Sequence, residues 1–191
     1  EITTTDINFQ EYENLDFLKY EGPTEPTITG GLNNLLTWKN WRLNLFLTYS
    51  FGNKIRLDPV FSAAYSDMSA MPKEFKNRWV QPGDENITSV PAIASVRQYQ
   101  NDTNLRYAYN AYNYSSERVA DGGFIRLKNV SLSYDLPKSL ITKIGLTTAS
   151  LKLDATNLWL IYADDKLNGQ DPEFVNSGGV ATPMPKQFTF T

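Results

Sequence analysis

Four carboxylates fall within ten residues near the end of the chain: Asp164, Asp165, Asp171 and Glu173. Two carboxylates can hydrolyse a glycoside when they stand about 5 Å apart as acid and nucleophile. Closeness in a loop sequence does not set that distance, and solvated loop charge accounts for these four. A second group, Asp6, Glu11, Glu13 and Asp16, has the oxygen ligands that calcium takes, but lacks the EF-hand spacing and its central Gly. The chain has no His and no Cys. That removes Ser-His-Asp chemistry, cysteine nucleophiles, thiolate zinc and His-ligated metals. No catalytic residue, metal or cofactor is expected, and the chain is read as a non-enzyme. The remaining candidates are aromatic. In YAYNAYNY (107–114), Tyr107, Tyr109, Tyr112 and Tyr114 alternate with Asn and Ala, and Trp79 lies upstream. Such rings can stack on sugars or grip a partner protein, or they can pack a long loop against itself.

The elements that would position these residues are strands. Tyr, Phe, Trp and Thr suit a pleated, half-buried surface, and aromatics make up 13% of the 191 residues. The 18 Lys+Arg against 21 Asp+Glu leave a net charge of −3, which gives no basic footprint for nucleic acid. No run approaches the roughly 20 apolar residues of a membrane helix. Mean hydropathy is −0.41, which reads as soluble, but transmembrane strands alternate and average out as polar. Residues 1–6 lack the basic start and apolar core of a signal peptide.

The clearest strand is WRLNLFLTYSFG (41–52). Trp41, Leu43, Leu45, Leu47, Tyr49 and Phe51 share one parity; Arg42, Asn44, Thr48 and Ser50 share the other, with Phe46 the exception. The apolar face is aromatic at both ends and aliphatic between, the order of an interfacial belt around a lipid band. A second run (29–38) precedes it across only Lys39-Asn40, so a tight hairpin is expected; Leu35 breaks its alternation. Residues 53–122 show no sustained alternation, carry four prolines and admit a short helix at 72–80. A third strand runs over 124–136, with a change of phase that predicts a bulge near Lys128-Asn129. Residues 137–145 then read as one or two helical turns, with Pro137 at the first helical position and Gly145 just past the end. A fourth strand covers 149–161, where Asn157 falls unexplained on the apolar parity, and a fifth begins at Gln187. Short and long connections alternate, the topology of an outer-membrane barrel. Arg42, Lys152 and Asp154 all avoid the apolar face, where a cation would cost roughly 2–4 kcal/mol at mid-bilayer. Five strands cannot close, and an open edge in lipid leaves backbone groups unsatisfied.

Six segments resemble the C-terminal end of the SusC/RagA family of TonB-dependent outer-membrane transporters from Bacteroidota. They are GGLNNLLTWKNWRLNLFLTYSFGNKI (30–55), FKNRWVQPGDEN (75–86), DGGFIRLKNVSLSYDLPKSLITKIGL (121–146), LKLDATNLW (151–159), QDPEF (170–174) and PKQFTFT (185–191). The resemblance implies an all-β fold: antiparallel strands forming part of a large, 22-stranded transmembrane β-barrel with long extracellular loops. It implies import of oligosaccharides or peptides with energy from TonB, and a SusD-like surface lipoprotein as partner. TonB would act through an absent N-terminal part, outer-membrane lipid would surround the barrel, and no nucleic acid is involved. The location is the outer membrane of a Gram-negative bacterium. The organisation expected is an extracellular loop (1–27), a barrel hairpin (28–52), a long extracellular loop or subdomain (53–122) and the last barrel strands (123–191). Against the family pattern, the N-terminal extension, TonB-contacting segment and plug are missing, and the chain stops before an aromatic-ended terminus. It therefore reads as a portion of a longer transporter. The alternative is a soluble carbohydrate-binding β-sandwich using the Tyr-rich segment as its platform; a hydrolase rests only on the unplaced carboxylates.

Overall fold

The computed structural model describes residues 18–61, 71–102, 104–176, 179–180 and 185–191. In chain order the strands are β1 (Ile28–Trp38), β2 (Trp41–Phe51), β3 (Lys54–Arg56), β4 (Val119–Asp121), β5 (Phe124–Asp135), β6 (Ser150–Tyr162), β7 (Val175–Asn176), β8 (Gly179–Val180) and β9 (Gln187–Phe190). The α-helices are α1 (Val96–Asn101), α2 (Leu105–Tyr114) and α3 (Lys138–Ile141). The chain divides into two compact units, one built mainly on Pro23–Lys54 and Asp121–Asn176, the other mainly on Ile55–Ala120. Among the described residues no helix is long and apolar enough to cross a membrane.

The first unit is one antiparallel sheet in the order β1-β2-β5-β6-β9. Lys39-Asn40 joins β1 to β2, and Lys39 takes φ 52, the positive angle that tight hairpin turns need at their first position. Register then carries one face across the sheet. Leu32 lies opposite Leu47, Leu36 opposite Leu43, Leu43 opposite Leu132, Leu132 opposite Leu153, and Leu153 opposite Phe190. Aromatic pairs bound this face at both ends. Trp41 meets Tyr134 at 4.5 Å near the hairpin turn; Phe51 lies 6.1 Å from Tyr49 and 6.2 Å from Tyr162 at the other end. From Trp41 to Tyr49 the strand runs about 27 Å at its usual rise per residue.

Three register shifts keep this face in phase; in one, Ile125 pairs with Tyr162 and Arg126 with Leu160, so Ile161 has no partner on β5. Phe46 pairs with Asn129 and Leu47 with Leu127, so Lys128 has no partner on β2 and is the extra residue that the sequence phase change marks. On β6, Trp159 pairs with Leu127 and Thr156 with Asn129, leaving Asn157 and Leu158 against one residue. Asn157 sits at φ 54, a left-handed conformation that Asn tolerates better than a branched side chain does. Its place on the apolar parity is thus the mark of a second bulge. The exceptions in the hairpin also have a cause. A Cβ on Gly31 would lie 2.9 Å from the Phe46 ring, so Phe46 covers a glycine on the polar face. Leu35 lies one diagonal step away, beside Asn44.

The sheet is single. The main contacts of each of its strands run to another strand of the same sheet, and the other sheets among the described residues, β3-β4 and β7-β8, have only two strands each, too few for the second layer of a β-sandwich. Leu32 (61% exposed), Leu36 (54%), Trp159 (64%) and Phe188 (69%) stand open on the apolar face. Strands β1 and β9 are unpaired at the two edges, so these five strands leave the sheet open.

The second unit has its own core, Val60, Phe61, Val90 and Tyr109, with Phe75, Tyr99, Leu105 and Tyr112 packed around it. Ser95 and Gln98 form a reciprocal capping box at the start of α1. The helix expected at 72–80 is a short 3-10 turn, Lys73–Asn77, ended by extended backbone at Arg78. The tyrosine segment, without strand alternation, forms helix α2. Pro137 stands at the N-cap of α3 rather than inside it.

The Gly31–Phe46 contact makes a testable coupling. Gly31→Val should cost about 1–3 kcal/mol by overpacking, and much less in a Phe46→Ala background. Denaturant unfolding of the four variants in a double-mutant cycle measures the difference.

Candidate functional site

Six charged residues lie in the strands of the large sheet: Arg42, Arg126, Lys128, Asp135, Lys152 and Asp154. Register places all of them on the polar face or, for Lys128, at its bulge. Arg42 is bonded to Asp135 at 2.6 Å and Lys152 to Asp154 at 2.7 Å. Arg126 is the buried member, 5% exposed. Its guanidinium is ion-paired to Asp171 and, at 3.1 Å through Nε, to Glu173. Glu173 also receives Lys128 Nζ at 3.1 Å. Two cations and two carboxylates thus balance, which is the condition for an arginine to remain buried and charged.

The segment that supplies those carboxylates is shaped by local chemistry. Asp164 caps a 3-10 turn, Asp165–Leu167, and its carboxylate also accepts the Asp121 N–H at 2.7 Å. Asn168 and Gly169 follow in the left-handed region, reversing the chain, and Leu167 is 1% exposed. Asp171 accepts the Glu173 N–H at 3.1 Å, and Phe174 N–H donates to the Asp171 carbonyl at 2.9 Å. Asp164, Asp171 and Glu173 are therefore committed to caps and ion pairs. The arrangement holds a loop against a polar wall; it does not set up an acid and a nucleophile.

In the second unit, helix period sorts the tyrosines. Tyr109 is buried, and its hydroxyl donates to the Ala92 carbonyl at 2.6 Å. Tyr112 packs edge-on to Phe61 at 5.6 Å, and burial raises its pKa above the ordinary phenol value, with Arg118 opposing. Tyr107 and Tyr114, seven residues apart, are exposed; Arg106 lies 5.1 Å from the Tyr107 ring and Arg56 lies 5.7 Å from that of Tyr114. Trp79 is tied down by its indole N–H, which donates to the Thr88 carbonyl at 2.6 Å. A pocket of about 330 Å³ opens beside the helix, lined by Tyr99, Arg106, Tyr107 and Asn110 along with buried Phe61, Tyr109 and Asn113. Asn110 belongs to the alternating Tyr and Asn segment marked in the sequence; Tyr99 and Arg106 do not. The spacing of Leu105, Tyr109 and Tyr112 was the helical signal that could have found them.

Among the described residues no cluster of Asp and Glu is placed to hold a metal ion. Asp6, Glu11, Glu13 and Asp16 lie outside the described residues. No protein-family model matches the chain. It is 34% identical over 155 residues to TonB-dependent receptor P3 of Formosa agariphila, covering 81% of this chain and 14% of that protein. It is 27% identical over 190 residues to TonB-dependent receptor P39 of the same organism, covering 93% and 17%. A solved structure of the RagAB peptide transporter superposes with a TM-score of 0.57 at 25% identity, covering 81% of this chain and 15% of that one. The chain thus spans less than a fifth of the length of these relatives. Its antiparallel sheet matches the fold of that solved chain over this stretch, and the chain belongs to the TonB-dependent receptor family. Within that family the chain is SusC/RagA-like, and sequence and fold both match a segment of TonB-dependent transporters.

Two predictions follow from the charges. Asp171→Ala leaves Arg126 with one partner and should destabilise the sheet by up to about 3–5 kcal/mol, freeing 163–174 to protease at concentrations the parent resists. Asp84 accepts the N–H groups of Val80 at 2.8 Å and Gln81 at 3.0 Å, which lowers its pKa. This turn is therefore held fully above the ordinary aspartate value and released as pH falls through the lowered one. Hydrogen exchange at Val80 and Gln81 should accelerate over that acid window, and Asp84→Ala should remove the pH dependence.

Proposed function

We propose that this chain is the C-terminal, membrane-spanning part of a 22-stranded outer-membrane barrel that imports a nutrient using energy from TonB. The observation that carries the reading is the segregation of all six strand charges from a face that is aromatic at both ends and aliphatic between. A charge on the lipid face costs roughly 2–4 kcal/mol at the midplane, so five on the other side and the sixth, Lys128, at a bulge is the signature of a face in hydrocarbon. In this reading residues 28–52 are a barrel hairpin and 123–191 the last strands. The two-residue turn and 136–149 lie on the periplasmic side, and 1–27 and 53–122 on the outside. The absent part of the barrel completes both edges.

Substrate and partner follow from the same reading. The polar face lines the transport path, and the outer loops meet a SusD-like surface lipoprotein and the substrate, an oligosaccharide or a peptide. Likeness to a peptide transporter supports the second of these. Tyr107 and Tyr114, exposed on α2, are the proposed contacts of the tyrosine segment, with Trp79, Tyr109 and Tyr112 holding the loop in shape behind them. The protein moves its ligand without altering it.

Arginine placed on each face of β2 tests the reading. In the full-length receptor, Leu45→Arg should destabilise the membrane-inserted barrel by about 2–4 kcal/mol and lower the outer-membrane yield. Asn44→Arg, its neighbour on the polar face, should insert normally. Urea unfolding in lipid vesicles reads the difference. Equal behaviour of the two variants would overturn the assignment.

A further inference from the structure

We propose that the hairpin-turn end of the sheet is a docking surface for anionic phospholipid headgroups, a cationic foot made by Lys39, Lys138 and Lys143. The inference rests on the reading that the apolar face meets lipid, and adds which lipid the turn end selects.

The foot begins in sequence. Residues 136–149, LPKSLITKIGLTTA, contain two lysines and no carboxylate. The opposite end of the sheet has the reverse balance, with four carboxylates against one lysine over 163–174. Local structure then presents the lysines. Helix α3 continues into a 3-10 turn, Thr142–Ile144, that stops at Gly145 with φ 77. Gly145 N–H donates to the Thr142 carbonyl at 3.2 Å and Leu146 N–H to the Ile141 carbonyl at 3.1 Å, a paired closure that satisfies the free carbonyls. Ile141 is the anchor, 3% exposed. Leu140 and Leu146 stay open to the surface, and so do Lys138 and Lys143.

The hairpin tip supplies the third cation. Lys39 is exposed and its Nζ lies 5.0 Å from the centroid of the Trp38 ring, beside the Trp41–Tyr134 pair. The nearby carboxylate of Asp135 is held by Arg42. Among the described residues, none of the three lysines has a carboxylate within ion-pair distance. An exposed leucine between two lysines and another just past them, at the end of the sheet that carries Trp38 and Trp41, fit a boundary that is apolar on one side and negatively charged on the other. An acidic peptide would use the lysines but not the leucines, and it would not continue the apolar face of the sheet. An anionic lipid does both. Each lysine near such a surface favours it by about fivefold.

The test uses the full-length polypeptide in phosphatidylcholine vesicles, with bromine on the acyl chains of either phosphatidylcholine or added phosphatidylglycerol at one mole fraction. The fluorescence component lost in Trp38→Phe/Trp41→Phe reports the turn end; that lost in Trp159→Phe reports the other end. Brominated phosphatidylglycerol should quench the turn-end component as if enriched about fivefold or more, and the Trp159 component without preference. Lys39→Gln/Lys138→Gln/Lys143→Gln should abolish the preference, and the corresponding triple Arg variant should keep it. Equal quenching by the two lipids at the turn end overturns the foot while leaving the membrane reading intact. No quenching by either lipid overturns the membrane reading and the foot with it.

Discussion

A charge in hydrocarbon has neither water nor counter-ion, and a strand whose side chains alternate has only one other direction in which to send it. Most of the large sheet follows from that restriction. Register must be held across every strand pair, because a slip of one residue would carry Arg42 or Lys152 through to the apolar face. The register shifts correct the phase where β5 and β6 would otherwise drift, and Lys128 and Asn157, which tolerate the correction, stand at two of the three. The polar face then has to satisfy its own charges. It does so by pairing Arg42 with Asp135, Lys152 with Asp154, and Arg126 with the carboxylates of a distant loop.

The Arg126 cluster shows how an ion pair can specify a structure without adding much to its stability. Burying a guanidinium and a carboxylate removes both from water, and their attraction roughly repays that loss. Deleting one partner is costly all the same, because the other remains buried. Residues 163–174 therefore have few alternative positions: a conformation that moves Asp171 away strands the charge of Arg126. The loop is held by the penalty for leaving.

How much of this was legible depended on the distance over which each residue finds its partner. Strand β2 could be read directly, since its alternation is local, and so could the bulge at Lys128, where the phase visibly changes. Asn157 could not, because a left-handed residue in a bulge leaves no periodic trace beyond a polar side chain on the wrong parity. Phe46 looked like an error until Gly31, which lies across the hairpin, was placed beneath it. The tyrosine segment misled for another reason. With four Tyr in eight residues no apolar stripe stands out, and Asn113 looks solvated although its amide serves the backbone of Val60 and Phe61. Asp171 and Glu173 read as loop charge because Arg126 lies 45 residues away from Asp171.

The second unit has a kinetic consequence for the sheet. The β1–β2 hairpin closes over two residues, whereas pairing β2 with β5 must bring together residues separated by the whole of 52–123, and an unstructured loop of that size is slow to close. Within Ile55–Ala120, however, the Leu57 N–H donates to the Arg118 carbonyl, and the Arg118 guanidinium reaches back to Asp58. Once that unit has collapsed on its core, its entry and exit are already side by side. For the strands on either side the long excursion then counts as a short one, and the slowest closure in the sheet becomes nearly as local as a hairpin.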